Sequence, residues 1–521
     1  MKGFGSHYDL FPCVVVTDND ADCKVGWSAT VEAMGTAPRT VVELYPGCFE
    51  EEIATALVDA LRPDLVLRTA EAFLSPNQLN EKFGAALGDD PVFARMEPWQ
   101  IEDFFCCEKL KRMTRQAEAA SGRVLVLGTG ATLVLPDADQ LIYADLARWE
   151  IQRRQRAHRI ANLGMNNAAA SPGALYKRAF FLDWRAADRL KSQLFERMDF
   201  LLDTNVEGEP KLISGQQLRT GLQKVVSQPF RAVPFFDPGP WGGHWMKDKF
   251  DLPDGPPNYA WCFDCVPEEN SLLLGFGQKR VEIPALDAVL FCPEELLGRK
   301  VYEAFGAEFP IRFDYLDTMG GGNLSLQVHP LRQYIREKFG MDYTQDESYY
   351  MLDAAEDALV YLGLRENIDC EQMKRDLERA QSDPDAPFNA ETYVNIWPAR
   401  KHDHFLIPAG TIHCSGRDGV VLEISATPYI FTFKLWDWGR LGLDGKPRPI
   451  HLQHGLANIQ WDRTTAWVRD NLISPTVAMG EGDGWREEKT GLHELEFIET
   501  RRHWFTGIVP HDTAGTVNVL N

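Results

Sequence analysis

Gln327 and His329 stand one residue apart in the stretch Asn323-Leu-Ser-Leu-Gln-Val-His-Pro330. Side chains alternate faces along a β-strand, so this pair projects one way while Leu326 and Val328 project the other. An amide oxygen beside an imidazole is half of a divalent-cation site. Two later segments supply the rest. Glu347 opens the apolar, aromatic run Glu-Ser-Tyr-Tyr-Met-Leu352, and His413 ends Leu406-Ile-Pro-Ala-Gly-Thr-Ile-His413. Donors this far apart in the chain meet only if their strands line one barrel, and that restricts the fold severely. The set is then two imidazoles, one carboxylate and one amide oxygen, which suits Zn2+ or a similar first-row ion.

The rest of the chain divides by periodicity. Short apolar runs at Phe11–Val16, Thr40–Leu44, Asp64–Leu67 and Arg123–Leu127 are separated by helix-like segments such as Glu50–Leu61. That alternation predicts an α/β domain over residues 1–205 with a parallel sheet. Residues 206–228 read as a connector with a short helix. From about Pro229 to residue 460, short apolar strands punctuated by Gly and Pro predict an antiparallel all-β barrel, interrupted by a helical insertion at Ile368–Ala380. Residues 461–521 mix a short helix with strand-like pieces. The apolar alternation Thr516-Val-Asn-Val-Leu-Asn521 reads as the first strand of an incomplete second β half.

The formal charge of -22 argues against a nucleic-acid partner, which needs a basic face. It also requires that any anionic ligand be met by a local cluster of Arg or Lys, because the global field is screened over about 8 Å at physiological salt. No run of about 20 apolar residues is present, so no bilayer span is expected. The first residues lack the apolar run of a secretory signal. With ten scattered cysteines, of which only Cys262 and Cys265 make a CxxC, a reducing cytoplasmic setting is expected.

The donors are ordered like a known pattern. Glu347 follows His329 by eighteen residues, and His413 follows Glu347 by sixty-six. Together with Phe309-Pro310, Leu422-Glu423, Trp436-Asp-Trp-Gly-Arg440 and Gly445-Lys-Pro-Arg-Pro-Ile-His451, these stretches make residues 230–460 resemble the type I mannose-6-phosphate isomerases, zinc enzymes on a cupin β-barrel. The resemblance implies that Gln327, His329, Glu347 and His413 ligate one Zn2+. It implies that Arg440 is an active-site arginine and that Glu423 sits on the strand leading to it. Arg332, Lys434, Arg440 and Arg448 are the candidates for the positive cluster holding a sugar phosphate. The implied reaction interconverts mannose 6-phosphate and fructose 6-phosphate, with the metal polarising a sugar oxygen. Two positions depart from the family. Gln345 stands where a lysine usually lies two residues before the metal-binding glutamate, and Asp314 stands where a lysine follows the Phe-Pro strand. These departures motivate two alternatives, a sugar-phosphate sensor without turnover and a cupin acting on another sugar phosphate. Two histidines with one carboxylate also suit iron(II), so an oxygenase is a further alternative.

Residues 1–205 carry a fainter resemblance to P-loop uridine-kinase-like proteins. The loop Thr17–Ser28 occupies the P-loop position after the first apolar run, but it lacks GxxxxGK[ST]. Asp18, Asp20 and Asp22 there would repel a triphosphate. A kinase-like domain that no longer transfers phosphate is therefore expected. His402 and His404 flank Asp403 and read as solvated turn residues. Gly128 and Gly130 read as a tight turn. Trp241, Trp245, Tyr259 and Trp261 read as core.

Overall fold

The computed structural model describes residues 8–383, 385–491 and 497–521. The chain forms two compact units, each built from separated segments. One comprises residues 11–233 and 267–308, the other residues 1–10, 234–266 and 309–521.

The α/β unit holds a seven-stranded sheet. Its order is Lys24–Val25, Lys211–Ser214, Phe200–Asp203, Gln140–Asp145, Arg39–Leu44, Val124–Gly128 and Leu65–Arg68. The five strands from Phe200–Asp203 to Leu65–Arg68 are parallel, as the alternating pattern predicts. Helix Glu50–Leu61 buries Ile53, Ala54, Leu57 and Leu61, a stripe at helical spacing, against Val42, Leu44, Leu125 and Ile142 of the sheet. Each of the Ile, Leu and Val side chains contributes about 1.5–3 kcal/mol when fully buried. The chain leaves Arg39–Leu44 toward one edge of the sheet and Gln140–Asp145 toward the other. The carboxyl ends of these neighbouring strands thus form the topological switch point, where α/β folds bind ligands.

Three expectations are corrected here. The strand at the first apolar run, Cys13–Thr17, lies outside the parallel sheet and pairs with Ser271–Phe276 in a separate three-stranded sheet completed by Lys279–Pro284. The loop after it is therefore not at the switch point; Asp20 accepts the Gln278 backbone N–H at 2.6 Å and anchors a turn. Residues 206–228 are not a connector, because Lys211–Ser214 extends the main sheet and helix Gly215–Val226 follows it. Residues 267–308 belong to the α/β unit and not to the β domain. Their strands are short and apolar like those around them, and periodicity does not say which sheet a strand joins.

Two antiparallel sheets of the β unit carry the expected donors. The six-stranded one runs His404–Ile407, Asp346–Ala354, Gly419–Ala426, Ile311–Asp317, Trp261–Cys265, Phe235–Asp237. The five-stranded one runs Val394–Pro398, Leu359–Leu364, His413–Ser415, Leu326–Val328, Phe433–Trp436. Period-two alternation gives the larger sheet two different faces. Phe313, Tyr315, Tyr350, Leu352, Leu422 and Ile424 pack with Met246, Phe250 and Tyr259 on one side. Arg312, Asp314, Glu347, Tyr349, Glu423 and Ser425 occupy the other. A one-residue slip would exchange the two sets, so the apolar face fixes the register of the polar one. The expected helical insertion is present as Cys370–Ser382. Val477–Gly482, Trp485–Gly491 and Thr500–Phe505 form a three-stranded sheet. Residues 516–521 form no strand, and Val519 instead packs against the apolar face just described.

Candidate metal centre

Backbone pairing brings the donors together. Gln327 is in register with His413 on one side and Lys434 on the other, and Glu347 lies in register with Ser425 in the larger sheet. His329 Nε2 is 3.0 Å from Glu347 Oε2, and His413 Nε2 is 2.8 Å from Glu347 Oε1. The candidate ligand atoms of these three residues all fall within 4.8 Å of one another, and all three side chains are buried. Gln327 Nε2 lies 3.2 Å from His413 Nε2. Which amide atom points inward is an assignment, and turning the amide about its last bond presents the oxygen instead.

The hydrogen bonds around the cluster decide its chemistry. His329 Nδ1 is 2.8 Å from the Phe431 carbonyl, and His413 Nδ1 is 2.8 Å from the Thr411 carbonyl. A carbonyl only accepts, so each Nδ1 carries a proton, and each Nε2 of a neutral ring turns a lone pair toward Glu347. Among the described residues, His329 Nε2 and Glu347 Oε1 are buried and have no polar partner outside this cluster. Lone pairs facing a buried carboxylate repel unless a positive charge lies among them. These are donors shaped for a cation, and the residues fit a divalent metal.

Burial opposes the charged form of Glu347, but His329 and His413 outweigh it and hold this carboxyl well below its ordinary range. Burial likewise opposes a charged His329, yet the adjacent Glu347 carries the net shift upward. For His413 burial prevails, and its pKa falls. Gln345 donates to Glu347 Oε2 at 2.9 Å and accepts the Phe431 N–H at 2.8 Å. It fixes the carboxylate directly, a positioning role that the sequence did not reveal.

The remaining expected residues divide. Lys434 is half-buried and pushed down to about 8, first by burial and then by Arg448. Arg440 donates from Nη2 to Asp437 Oδ1 at 2.6 Å and from Nη1 to the Asn323 carbonyl. Arg448 donates to Asp437 Oδ2 at 3.1 Å and to Ser325 Oγ at 3.3 Å. Asp437 thus gathers both arginines, an anchor missed earlier although it lies within the quoted Trp-Asp-Trp-Gly-Arg stretch. Glu423 is pushed well up by burial and by Glu347. Arg332 does not join the group. It is exposed in the first turn of helix Arg332–Phe339, where its Nε donates to the Asp342 carbonyl at 3.2 Å. The residues after Pro330 leave the strand direction, so Arg332 is not carried along with His329. His404 is buried rather than solvated, bonded at 3.0 Å to the Thr490 carbonyl, and burial pushes it down to about 4.

A domain of unknown function, DUF8485, matches residues 26–227. The chain is 24% identical over 237 residues to mannose-6-phosphate isomerase ManA of Bacillus subtilis, covering 45% of this chain and 69% of that protein. It is 25% identical over 243 residues to mannose-6-phosphate isomerase of Streptococcus mutans, covering 46% and 71%. For part of its length, this chain resembles the mannose-6-phosphate isomerases. Among solved structures, the mannose 6-phosphate isomerase of B. subtilis aligns with a TM-score of 0.40 at 20% identity, over 51% of this chain and 77% of that one.

Proposed function

We propose that the β unit is a cupin-type, metal-dependent aldose–ketose isomerase interconverting mannose 6-phosphate and fructose 6-phosphate. The observation that carries the reading is the buried cluster of His329, Glu347 and His413, whose candidate ligand atoms all lie within 4.8 Å of one another. Gln327, His329, Glu347 and His413 would hold Zn2+, which when bound supplies Lewis-acid polarisation of a sugar oxygen. Gln345 and the two backbone carbonyls keep the donors oriented. Glu423, a carboxyl whose proton is retained by burial, is the candidate for moving a proton between neighbouring sugar carbons. Lys434, Arg440 and Arg448 are the candidate contacts for the phosphate, and Arg440 is also the candidate for countering developing charge. The setting would be a reducing cytoplasm, with a small sugar phosphate and no nucleic acid as partner.

A coupled assay for the interconversion, run with metal-loaded protein and after chelation, tests this. Turnover that chelation abolishes and metal restores is expected; no turnover by metal-replete protein would defeat the proposal. A second reading, ligand binding without turnover, is favoured by Gln345 and Asp314 standing where lysines are usual in the resembled family. It expects calorimetric binding of a sugar phosphate with no product formed.

The α/β unit is proposed to be kinase-like but inactive in phosphoryl transfer. The switch-point helix opens with Glu50, Glu51 and Glu52, which repel a phosphate, and Arg154 donates to the Gly47 carbonyl at 2.9 Å. Failure of the full chain to bind ATP would set phosphoryl transfer aside, and transfer of phosphate from ATP to an acceptor would overturn this reading.

A further inference from the structure

Beside the cluster, the larger sheet carries a second polar row. Asp314 faces Glu423 in register, and Glu423 faces Tyr349 on the next strand. This row lies one pleat away from Glu347 on the same face. Asp314 is only 6% exposed. Burial, and then Glu347, raise its pKa to about 8. Among the described residues nothing hydrogen-bonds to its carboxyl. The cation near it, Arg312, is turned to the carbonyls of Thr427 at 2.8 Å and Pro428 at 3.1 Å. On the smaller sheet the situation is opposite in sign. Lys434 lies in register with Gln327, its ammonium makes no hydrogen bond among the described residues, and Arg448 and Arg440 stand beyond it. The metal donors bridge the two sheets, with Glu347 on the acidic side and Gln327 and His413 on the basic side.

We propose that Asp314 sets both the orientation and the class of ligand. The anionic end of a sugar phosphate lies on Lys434, and hydroxyls at the remote end donate to Asp314. This rests on the sugar-phosphate reading given above. The chemistry is simple. Asp314 and Glu423 offer a phosphate no positive charge and at most one carboxyl proton each, whereas a sugar hydroxyl always has a proton to give to their remaining oxygens. Lys434 offers three donors and a positive charge. The preferred class is therefore an aldose or ketose phosphate that keeps a free hydroxyl at the end remote from its phosphate. An analogue lacking that hydroxyl leaves Asp314 unsatisfied and binds weakly.

Calorimetry on the metal-loaded full chain, with inorganic phosphate and with mannose 6-phosphate as probes, tests the orientation. The variants are Asp314→Leu, Asp314→Lys and Lys434→Met, each checked for metal content so that a damaged centre is recognised. Lys434→Met is expected to weaken inorganic phosphate about tenfold, while Asp314→Leu, near-isosteric but without an acceptor oxygen, leaves phosphate within about twofold and weakens mannose 6-phosphate about tenfold. Asp314→Lys tightening phosphate while Lys434→Met leaves it unchanged would put the anion at the acidic side and overturn the proposal. So would mannose 6-phosphate affinity unaffected by Asp314→Leu, or no binding of either probe to the unmodified chain. Turnover is read separately. An unmodified chain that binds as expected but turns nothing over defeats the isomerase reading and leaves the orientation standing.

Discussion

The switch point of the α/β unit and the metal centre of the β unit are both crowded with buried ionisable groups, yet they are built on opposite terms. At the switch point, charges meet charges of the other sign. Lys191 bridges Asp145 and Asp287, and Arg148 pairs with Asp188 at 2.6 Å while also donating to Tyr45. Arg154 spans the loop carbonyls of Gly47 and Thr204. A few atoms there stay unbonded, Asp145 Oδ1 and Arg148 Nε among them, but Lys191, Asp145, Asp287, Arg148 and Asp188 each face a charge of the other sign. At the metal centre, two imidazoles and a carboxylate face one another with no Lys or Arg bonded to them among the described residues. The lesson is that burial and perturbed pKa values do not by themselves mark a binding site. The sign of what faces each group separates a self-sufficient network from an incomplete one.

Removing a donor from the incomplete site should have the largest effect. His413→Ala is expected to lose bound metal, read by elemental analysis, and to cut isomerase turnover on the order of a thousandfold. Retained metal with unchanged turnover would erase the contrast. In the self-sufficient network the equivalent damage should appear as stability. Lys191→Met strands two buried carboxylates and should cost about 3–5 kcal/mol in chemical denaturation, with the metal content of the folded protein unchanged. A third prediction concerns pH. Burial is the chief reason that the Asp287 carboxyl is raised from 3.8 to about 7, with Lys191 opposing and Asp145 adding to the rise. The folded chain therefore keeps a proton there that the unfolded chain releases, and stability falls as pH climbs from about 4 to about 7. Asp287→Asn should flatten that slope in denaturation curves taken across the window. The smallest effect belongs to an exposed pair. Arg299 and Glu303 lie 2.9 Å apart in one helix, and Arg299→Ala should change stability by about 0.5 kcal/mol or less. A larger loss would show that opposite charge alone, without burial, sets the cost.

The same contrast explains what the sequence revealed. Gln327, His329, Glu347 and His413 were legible because a period of two and a few spaced segments suffice to place donors on one face. The parallel strands Arg39–Leu44, Leu65–Arg68 and Val124–Gly128 were legible for a similar local reason. Long-range facts were not. Cys13–Thr17 has the apolar run of a sheet-opening strand, but its partner Ser271–Phe276 lies over 250 residues away. Arg332 was grouped with the phosphate contacts by its nearness to His329 in the chain, and the helix that starts there turns it outward. Asp437 gathers Arg440 and Arg448, and Gln345 steadies Glu347. Both were in view as letters, but only three-dimensional contacts show what they hold.

The discontinuity of the two units has a consequence for biosynthesis. Emerging from the ribosome, residues 11–233 still lack strand Ser271–Phe276 and the carboxylate of Asp287, so the first unit cannot close when its longest segment is complete. It must wait until residue 308 has been made, by which time the opening strands of the second unit are already present. Maturation is thus interleaved, and a stop placed at residue 233 would yield a fragment with an uncovered strand edge and Lys191 short of one carboxylate.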